Sequence, residues 1–345
     1  MNRFSLFATC GLLSALPAQT TTPAGMSATE GNVSFSFWGP NRRMQGIDAT
    51  NPSPAVWTRI AFRRDGTAAS NSSYTARTFD FEVKLGPANW NFLTNEFDLN
   101  YASAPTTVYP MQPTNFPDWS AQPSPAPAPF NFSVMFSVPY THGGGAFLWD
   151  ISMQNSTNTG LVLMDREFLQ YPSASGAQVG TGCIATGRTS AFAHTAAARN
   201  GGAPLGDYAM HLQVAATNAP ANAPVFLMLD VADANITLPF LCSTVHAITV
   251  PPFVVGQSNA SGQLLARHLG FPYNAALVGA TIYSQLAAPD VGQPAPFLPV
   301  VLSNARASTF PSDPALSHAS AYAWSTLPTT SGTVFFGGCP VAELQ

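Results

Sequence analysis

Charged side chains are scarce in this sequence. Asp, Glu, Lys and Arg make up 9% of its 345 residues, whereas about 25% is usual for a soluble protein. The formal net charge is −4, and Lys84 is the only lysine. Proteins that bind nucleic acids rely on clusters of Lys and Arg to neutralise the phosphates. The composition therefore predicts that the protein has no nucleic-acid partner.

Long apolar runs are missing beyond the N-terminus. No later stretch reaches the roughly 18 consecutive apolar residues that a membrane-spanning helix requires, so we predict no membrane span. At the N-terminus, Arg3 precedes the apolar stretch Phe4–Pro17, and the small residue Ala18 follows. This order is typical of a secretory signal peptide, which we place at residues 1–18. We expect the mature protein to be secreted, either extracellular or at the cell surface.

Charged residues that favour helix surfaces are few, while the sequence holds 31 prolines and 26 glycines. Apolar and polar residues instead alternate with a period of two, which is typical of half-buried strands. The clearest examples are Arg77–Gly86, Phe130–Val138 and Tyr208–Val214. In the second segment we expect Val138 to face inward, and in the third we expect His211 and Gln213 to face solvent.

We therefore predict an all-β protein with two antiparallel β-sandwich domains of jelly-roll or immunoglobulin-like type. A length of 345 residues suits about two domains. The turn-rich segment Asn155–Gly182 separates them, and the half that follows it is nearly uncharged. The predicted domains are residues 28–172 and 175–310, followed by a C-terminal extension over residues 311–345.

Cysteine is also rare, with four in the chain. Cys10 falls within the predicted signal peptide, which leaves Cys183, Cys242 and Cys339. In an oxidising compartment we expect two of these three to form a disulfide. Zinc binding is the alternative, but His246, four residues after Cys242, has no further ligand at zinc-site spacing. We predict no metal site and no cofactor.

The segment from His142 to Gly145 reads His-Gly-Gly-Gly, a string that builds part of the oxyanion hole in some esterases. Such an enzyme also needs a nucleophile at a strand-to-helix turn. The nearest match, Gly256–Ala260, lies between predicted strands and is followed by Gly262. We interpret the glycines as a turn or bulge before the strand Phe147–Met153.

Two groups of carboxylates are candidates for catalysis or metal binding. Asp80 and Glu82 share a strand face with Lys84, and we interpret them as solvated rather than catalytic. Asp230 and Asp233 lack the loop pattern of a calcium site. We therefore predict no catalytic residues.

Two tryptophans lie in polar, turn-rich segments instead of strands. These are Trp90 and Trp119. Aromatic rings exposed on loops suit stacking against sugars, so both are candidate ligand-binding residues. The alternative is that each ring folds back over the edge of a sandwich.

Several segments of the second half occur in an ordered pattern: Gly180–Cys183, Gly201–Leu229, Leu238–Cys242, Ser261–Asp290 and Leu302–Ala305. Together they resemble the C-terminal β-sandwich module of secreted proteins of planctomycete-type bacteria, over roughly residues 178–306. The first half, with "ARTFDFEVKLG" and "VPYTHGGGAFLWDI", resembles a companion module less closely. The resemblance implies export and β-sandwich folding, and it implies no known activity. The segment after residue 306 extends past the pattern.

The two cysteines that match this module are Cys183 and Cys242, so the resemblance implies that they form the disulfide. Closing a loop of about 60 residues stabilises a domain by roughly 4 kcal/mol in the chain-entropy model. Such a bond would help a domain that has few charges for ion pairs.

These observations favour a non-enzymatic role as a secreted or surface-associated structural or adhesion-type protein. The first alternative is an extracellular carbohydrate-binding protein that uses loop aromatics, with a glycan or another cell-surface component as its partner. The second alternative is a hydrolase whose site the sequence does not reveal.

Overall fold

A computed structural model describes residues 19–31, 33–36, 41–50, 53–67, 74–121 and 126–345, and the predicted signal peptide lies outside them. Three 3₁₀ segments occur in this part of the chain, at Phe97–Asn100, Ala203–Tyr208 and Ala275–Leu277. The strands, in chain order, are β1 (Thr20–Thr22), β2 (Val33–Ser36), β3 (Arg42–Asp48), β4 (Ala55–Phe62), β5 (Arg77–Pro87), β6 (Phe92–Thr94), β7 (Thr106–Phe116), β8 (Phe132–His142), β9 (Phe147–Gln154), β10 (Leu163–Arg166), β11 (Ser173–Ser175), β12 (Ala177–Val179), β13 (Ala193–Asn200), β14 (Met210–Thr217), β15 (Pro224–Asp230), β16 (Val250–Gln257), β17 (Leu264–Phe271), β18 (Thr281–Pro289), β19 (Val300–Thr309), β20 (Ser320–Thr326), β21 (Thr333–Phe336) and β22 (Ala342–Leu344).

The first sandwich packs a four-stranded sheet, in the order β1-β22-β4-β8, against a six-stranded sheet, in the order β21-β20-β3-β9-β5-β7. Its core is strongly aromatic and includes Trp57, Phe81, Phe132 and Trp149. Strand β5 shows why these residues form strands. Phe79, with every second residue after it up to Leu85, is buried, while the alternate residues are partly or fully exposed. This is the pattern predicted from the sequence.

The second sandwich packs two five-stranded sheets, in the orders β11-β13-β14-β17-β6 and β12-β19-β18-β15-β16. Its core is mostly aliphatic and includes Leu212, Leu227 and Leu286. A fifth, two-stranded sheet pairs β10 with β2. All pairings between neighbouring strands in the five sheets are antiparallel. The prediction of an all-β protein with two antiparallel sandwiches is confirmed.

The two sandwiches exchange strands. Strand β6 belongs to the first half of the chain but pairs with β17 in the second sandwich. Strands β20, β21 and β22 follow the second sandwich in sequence but complete both sheets of the first. Residues 311–345, which the sequence left without a role, therefore form part of the first sandwich.

A third apolar cluster fills the boundary between the sandwiches. It contains residues from both, among them Ile47, Trp90, Met210, Phe310 and Phe336. The sandwiches thus share buried surface, which explains why one predicted strand face is wrong. His211 was expected to face solvent, yet it is fully buried because the first sandwich covers that face of β14.

Strand β8 departs from its predicted alternation for a different reason. Its pairing with β4 shifts register between Trp57 and Arg59, where the paired residues jump from Tyr140 to Met135. A bulge of this kind changes which side chains face the core. Val138, expected to face inward, is 52% exposed as a result. No helix in the described ranges is long and apolar enough to cross a membrane.

Candidate functional site

The predicted disulfide between Cys183 and Cys242 is present, and its Cα atoms lie 5.5 Å apart. It connects the segment between β12 and β13 to the segment between β15 and β16. Among the described residues, Cys339 is a free and buried thiol. Burial, followed by the nearby carboxylates of Glu167 and Asp48, raises the pKa of this thiol well above its usual value. A buried, protonated thiol is chemically inert.

Trp90 and Trp119 do not expose their rings, and the alternative interpretation, in which each ring folds back against a sandwich, describes both. Trp90 is 3% exposed and lies between the sandwiches, 5.2 Å from the His211 ring and 5.7 Å from the Phe336 ring. Trp119 is 2% exposed, and it packs edge-on against Phe116 at 4.6 Å. Its Nε1 donates a hydrogen bond of 2.6 Å to Asn131 Oδ1. Both rings fold back from their loops because the sandwiches offer aromatic surfaces that exclude water.

The His-Gly-Gly-Gly segment connects the two sheets of the first sandwich. His142 ends β8 in one sheet, and β9 begins at Phe147 in the other. The His142 ring is buried and stacks on Trp57 at 4.9 Å. Gly144 and Gly145 have φ angles of 95° and 82°, which glycine adopts without strain. The glycines form the tight turn by which the chain passes from one sheet to the other. The His142 side chain packs in the core.

The serine of the nearest nucleophile match has a structural role as well. Ser258 is buried, and its Oγ donates to the carbonyl of Pro220 and accepts a hydrogen bond of 3.1 Å from the Ala223 N–H. It lies in the second sandwich, whereas His142 lies in the first. The structure therefore does not bring the two halves of the esterase motif together.

The candidate carboxylates are also engaged in local contacts. Glu82 pairs with Lys84 at 2.8 Å, and Asp80 accepts a hydrogen bond from Asn155. Asp230 accepts hydrogen bonds from the main chain on both sides, including those of Val231 and Ile248. Although burial raises it, these bonds hold the pKa of Asp230 at about 2. In the part of the chain that is described, no three Cys, His, Asp or Glu residues are grouped so as to hold a metal ion.

A buried cluster of titratable groups lies at the boundary between the sandwiches. The His211 and His268 rings lie 4.2 Å and 5.1 Å from the Phe336 ring, and the Arg199 guanidinium lies 5.4 Å from the same ring. Neither ring nitrogen of either histidine has a hydrogen-bond partner among the described residues. Burial and the charge of Arg199 lower the pKa of His211 to about 3 and that of His268 well below its usual value. These histidines are neutral packing groups at ordinary pH.

A groove runs along the surface between the two sandwiches, and we call it the inter-sandwich groove. Three adjoining recesses of about 430, 570 and 200 Å³ form it, and all three share Leu265. The first sandwich contributes residues 95–99 and 324–335 to its walls. The second contributes Asn222 and residues 256–267, which connect β16 in one sheet to β17 in the other. The groove therefore exists only because the sandwiches are joined.

The lining of the groove is polar but almost uncharged. Among the described lining residues the charged groups are Glu96 and Arg267, whose side chains bind each other at 2.7 Å. Amide and hydroxyl residues make up about half of the rest, namely Asn95, Asn222, Gln257, Ser258, Asn259, Gln263, Ser325, Thr326, Thr330, Ser331 and Thr333, with Thr195 and Thr217 in the third recess, which apart from these two, Asn95 and Gln263 is apolar. Such groups donate and accept hydrogen bonds without carrying charge.

Two aromatic residues line one end of the groove. Phe335 is 37% exposed, and its ring stacks on Tyr322 at 4.9 Å with an angle of 16° between the planes. Trp324 is half-buried, and the Arg42 guanidinium lies 5.0 Å from its ring. Sequence reasoning missed both residues. In the sequence, Phe335 lies between the apolar residues Val334 and Phe336, so the alternation of β21 places it on the opposite face. That face becomes part of a groove only through the pairing of β21 with β20, which the sequence does not show.

Comparison of the chain with protein-family models, with curated proteins and with solved structures finds no match. The geometry of the groove is therefore the guide to what it binds.

Proposed function

We propose that the protein is an exported, non-catalytic module of structural or adhesion type. The observation that carries this proposal is the exchange of strands between the two sandwiches. Because β6 and the strands from β20 to β22 cross between them, neither sandwich can move independently of the other. A body of this kind suits a protein that holds its place at a surface and presents a fixed face.

Two further observations support the proposal. A disulfide between Cys183 and Cys242 is a feature of proteins that fold in oxidising compartments. The side chains that most resembled catalytic groups, His142 and Ser258, are buried in packing and hydrogen-bonding roles. Export by a signal peptide at residues 1–18 is part of the same proposal.

The test is a sedimentation assay with the purified mature protein and isolated cell-envelope material from the organism that encodes it. We expect the protein to sediment with the envelope in a saturable manner and to leave ester, glycoside and peptide substrates unchanged. Absence of sedimentation would contradict the proposal. Turnover of one of these substrates by the pure protein would instead favour a hydrolase.

A further inference from the structure

We propose that the inter-sandwich groove binds a neutral oligosaccharide chain, with Phe335 as the stacking platform. This inference rests on the proposed function, because it names the class of surface molecule that the module would bind. Four features of the groove support it: the ring at one end, the hydrogen-bonding groups along the walls, the charge of the lining and the shape of the groove.

The Phe335 ring has the properties of a stacking platform. Tyr322 supports one face of the ring, and 37% of the Phe335 residue surface remains accessible at the groove. A pyranose ring has an apolar face of C–H groups that packs against an aromatic ring. Because Tyr322 already fixes the orientation of the ring, binding costs little side-chain entropy.

The walls offer hydrogen-bonding groups that the protein itself does not use. Gln263 is exposed, and its side-chain amide makes no hydrogen bond to the described part of the chain. The hydroxyl of Ser331 likewise lacks a partner there, although its carbonyl accepts one from Thr329. Both residues line the largest of the three recesses. An amide and a hydroxyl at such positions exchange water for the hydroxyl groups of a sugar.

The charge of the groove selects against acidic and basic ligands. Glu96 and Arg267 neutralise each other, and the Arg267 side chain is 5% exposed. A sulfated or uronic-acid polymer would find one cation at the described rim without a carboxylate partner, Arg42, and its guanidinium is already engaged by the Trp324 ring and the Thr326 hydroxyl. A peptide with charged side chains would leave those charges without partners, which is costly where water is displaced. Neutral sugars incur neither cost.

The shape of the groove suits a chain longer than one sugar. Leu265 lies at the meeting point of the three recesses, and Asn95 lines two of them. The recesses therefore meet around Leu265, and together they extend from Phe335 to Gln263. Phe335 lies in one recess and Gln263 in the other two, so a single monosaccharide cannot fill the whole site.

The experiment is a glycan array followed by calorimetry with the full mature protein. The array carries neutral hexasaccharides of glucose, mannose, xylose and N-acetylglucosamine, together with acidic oligosaccharides and a library of unstructured peptides. We expect binding to at least one neutral series and stronger binding of hexasaccharides than of the corresponding monosaccharides.

Three variants assign the binding to the groove. Phe335→Ala is expected to weaken binding about tenfold, which corresponds to the loss of one aromatic contact. Gln263→Ala, at an exposed position where folding is not at risk, is expected to weaken it about fivefold. Phe240→Ala removes a ring that is 41% exposed outside the groove, and it should leave binding unchanged.

Several outcomes would overturn the inference. They are the failure of every neutral hexasaccharide to bind at millimolar concentration, a preference for acidic glycans or peptides, and binding that neither groove variant weakens. If the protein still sediments with envelope material in such a case, only the assignment of the groove fails. If it does not sediment either, the proposed function fails with it.

Discussion

Arg63 and Asp165 form an ion pair from which solvent is almost entirely excluded. Nε of the arginine lies 2.7 Å from Oδ2 of the aspartate, and their side chains are 1% and 0% exposed. The same guanidinium donates to the carbonyls of Met26 and Thr29, which fixes the loop before β2. The Asp165 carboxylate also accepts a hydrogen bond from the Gly31 N–H, but Arg63 supplies its counter-charge where water is excluded.

Arg63→Met is therefore expected to lower the free energy of unfolding by about 3–5 kcal/mol, since it leaves the Asp165 carboxylate buried without a counter-charge. Urea-induced unfolding monitored by circular dichroism measures the change. Lys84→Met is the matched control, because Lys84 and Glu82 form a partly exposed pair that contributes about 1 kcal/mol or less. Equal effects of the two substitutions would contradict the prediction.

The carboxyl group of Glu167 is buried in the folded protein. Burial, despite a hydrogen bond from Ser320, raises the pKa of this carboxyl to about 7. The pKa is about 4.5 when the chain is unfolded. The folded protein therefore holds the proton more tightly, so the contribution to stability is complete below about pH 4.5 and is lost as the pH rises through 7.

We expect this group to remove about 3 kcal/mol of stability between pH 5 and pH 8. Glu167→Gln should abolish that part of the pH dependence, because glutamine does not titrate. Unfolding free energies at the two pH values test the prediction, with Glu82→Gln as a surface control that keeps the wild-type slope. A Glu167→Gln protein with the wild-type slope would contradict it.

At the scale of the element, strand β22 completes one sheet of the first sandwich. Strand β22 lies between β1 and β4, and the main chain of Gln345 continues the pairing through hydrogen bonds with Thr58 and Arg59. Leu344 is fully buried in the core of the first sandwich. Truncating the Leu344 side chain would therefore leave a cavity in this core.

Leu344→Ala is expected to cost about 2–5 kcal/mol of unfolding free energy. Leu298→Ala is the control, because Leu298 is 44% exposed and its truncation should change stability by about 0.5 kcal/mol or less. Thermal and urea unfolding measure both variants. If Leu344→Ala behaved like the control, strand β22 would not be an integral part of the first sandwich.

The sequence predicts elements well where one face of a strand meets a core and the other meets water. Strand β5 follows its alternation from Arg77 to Leu85. Strand β14 does not, because the first sandwich covers its second face, and no local pattern indicates a contact with a distant domain. Strand β13 is rich in alanine and resembles a helix in composition, yet pairing with β14 makes it a strand. Tertiary contacts override local preference in both cases.

The candidate site was less predictable than the fold. The disulfide followed from a family pattern and is present, while the choice of Trp90 and Trp119 assumed that aromatic rings in loops are exposed. The groove forms where Asn95, Leu265 and Phe335 meet. These residues are more than 60 positions apart in sequence, so composition and periodicity carry no information about their proximity.

At the scale of the whole molecule, buried histidines make the free energy of unfolding depend on pH. The His194 ring bonds to Ser284 inside the second sandwich, and burial lowers its pKa to about 3. His211, between the sandwiches, has a pKa lowered to the same value by burial and by Arg199. These values lie below the 6.5 of an unfolded histidine. The stability that the neutral rings contribute is therefore complete above pH 6.5 and is lost as the pH falls toward 3.

We expect the free energy of unfolding to fall by up to about 1.4 kcal/mol per pH unit for each such histidine below pH 6. His211→Leu should reduce this slope by the contribution of one proton. The six tryptophans, among them Trp90 against His211, provide the emission signal with which unfolding is followed at each pH. A His211→Leu protein that kept the wild-type slope between pH 6.5 and pH 4.5 would contradict the prediction, because the opposite contribution of Glu167 is the same in both proteins.

The exchange of strands also determines when the protein can fold during synthesis. Strand β3 needs β20 as its neighbour, and β4 needs β22, yet more than 270 residues separate the members of each pair. The N-terminal strands cannot complete their sheets until β20 and β22 have been synthesised. The strands from β11 to β19 lie closer together in sequence, so the second sandwich has the first opportunity to close. We therefore expect folding to begin with these strands and to finish when β20 and β22 pair with β3 and β4.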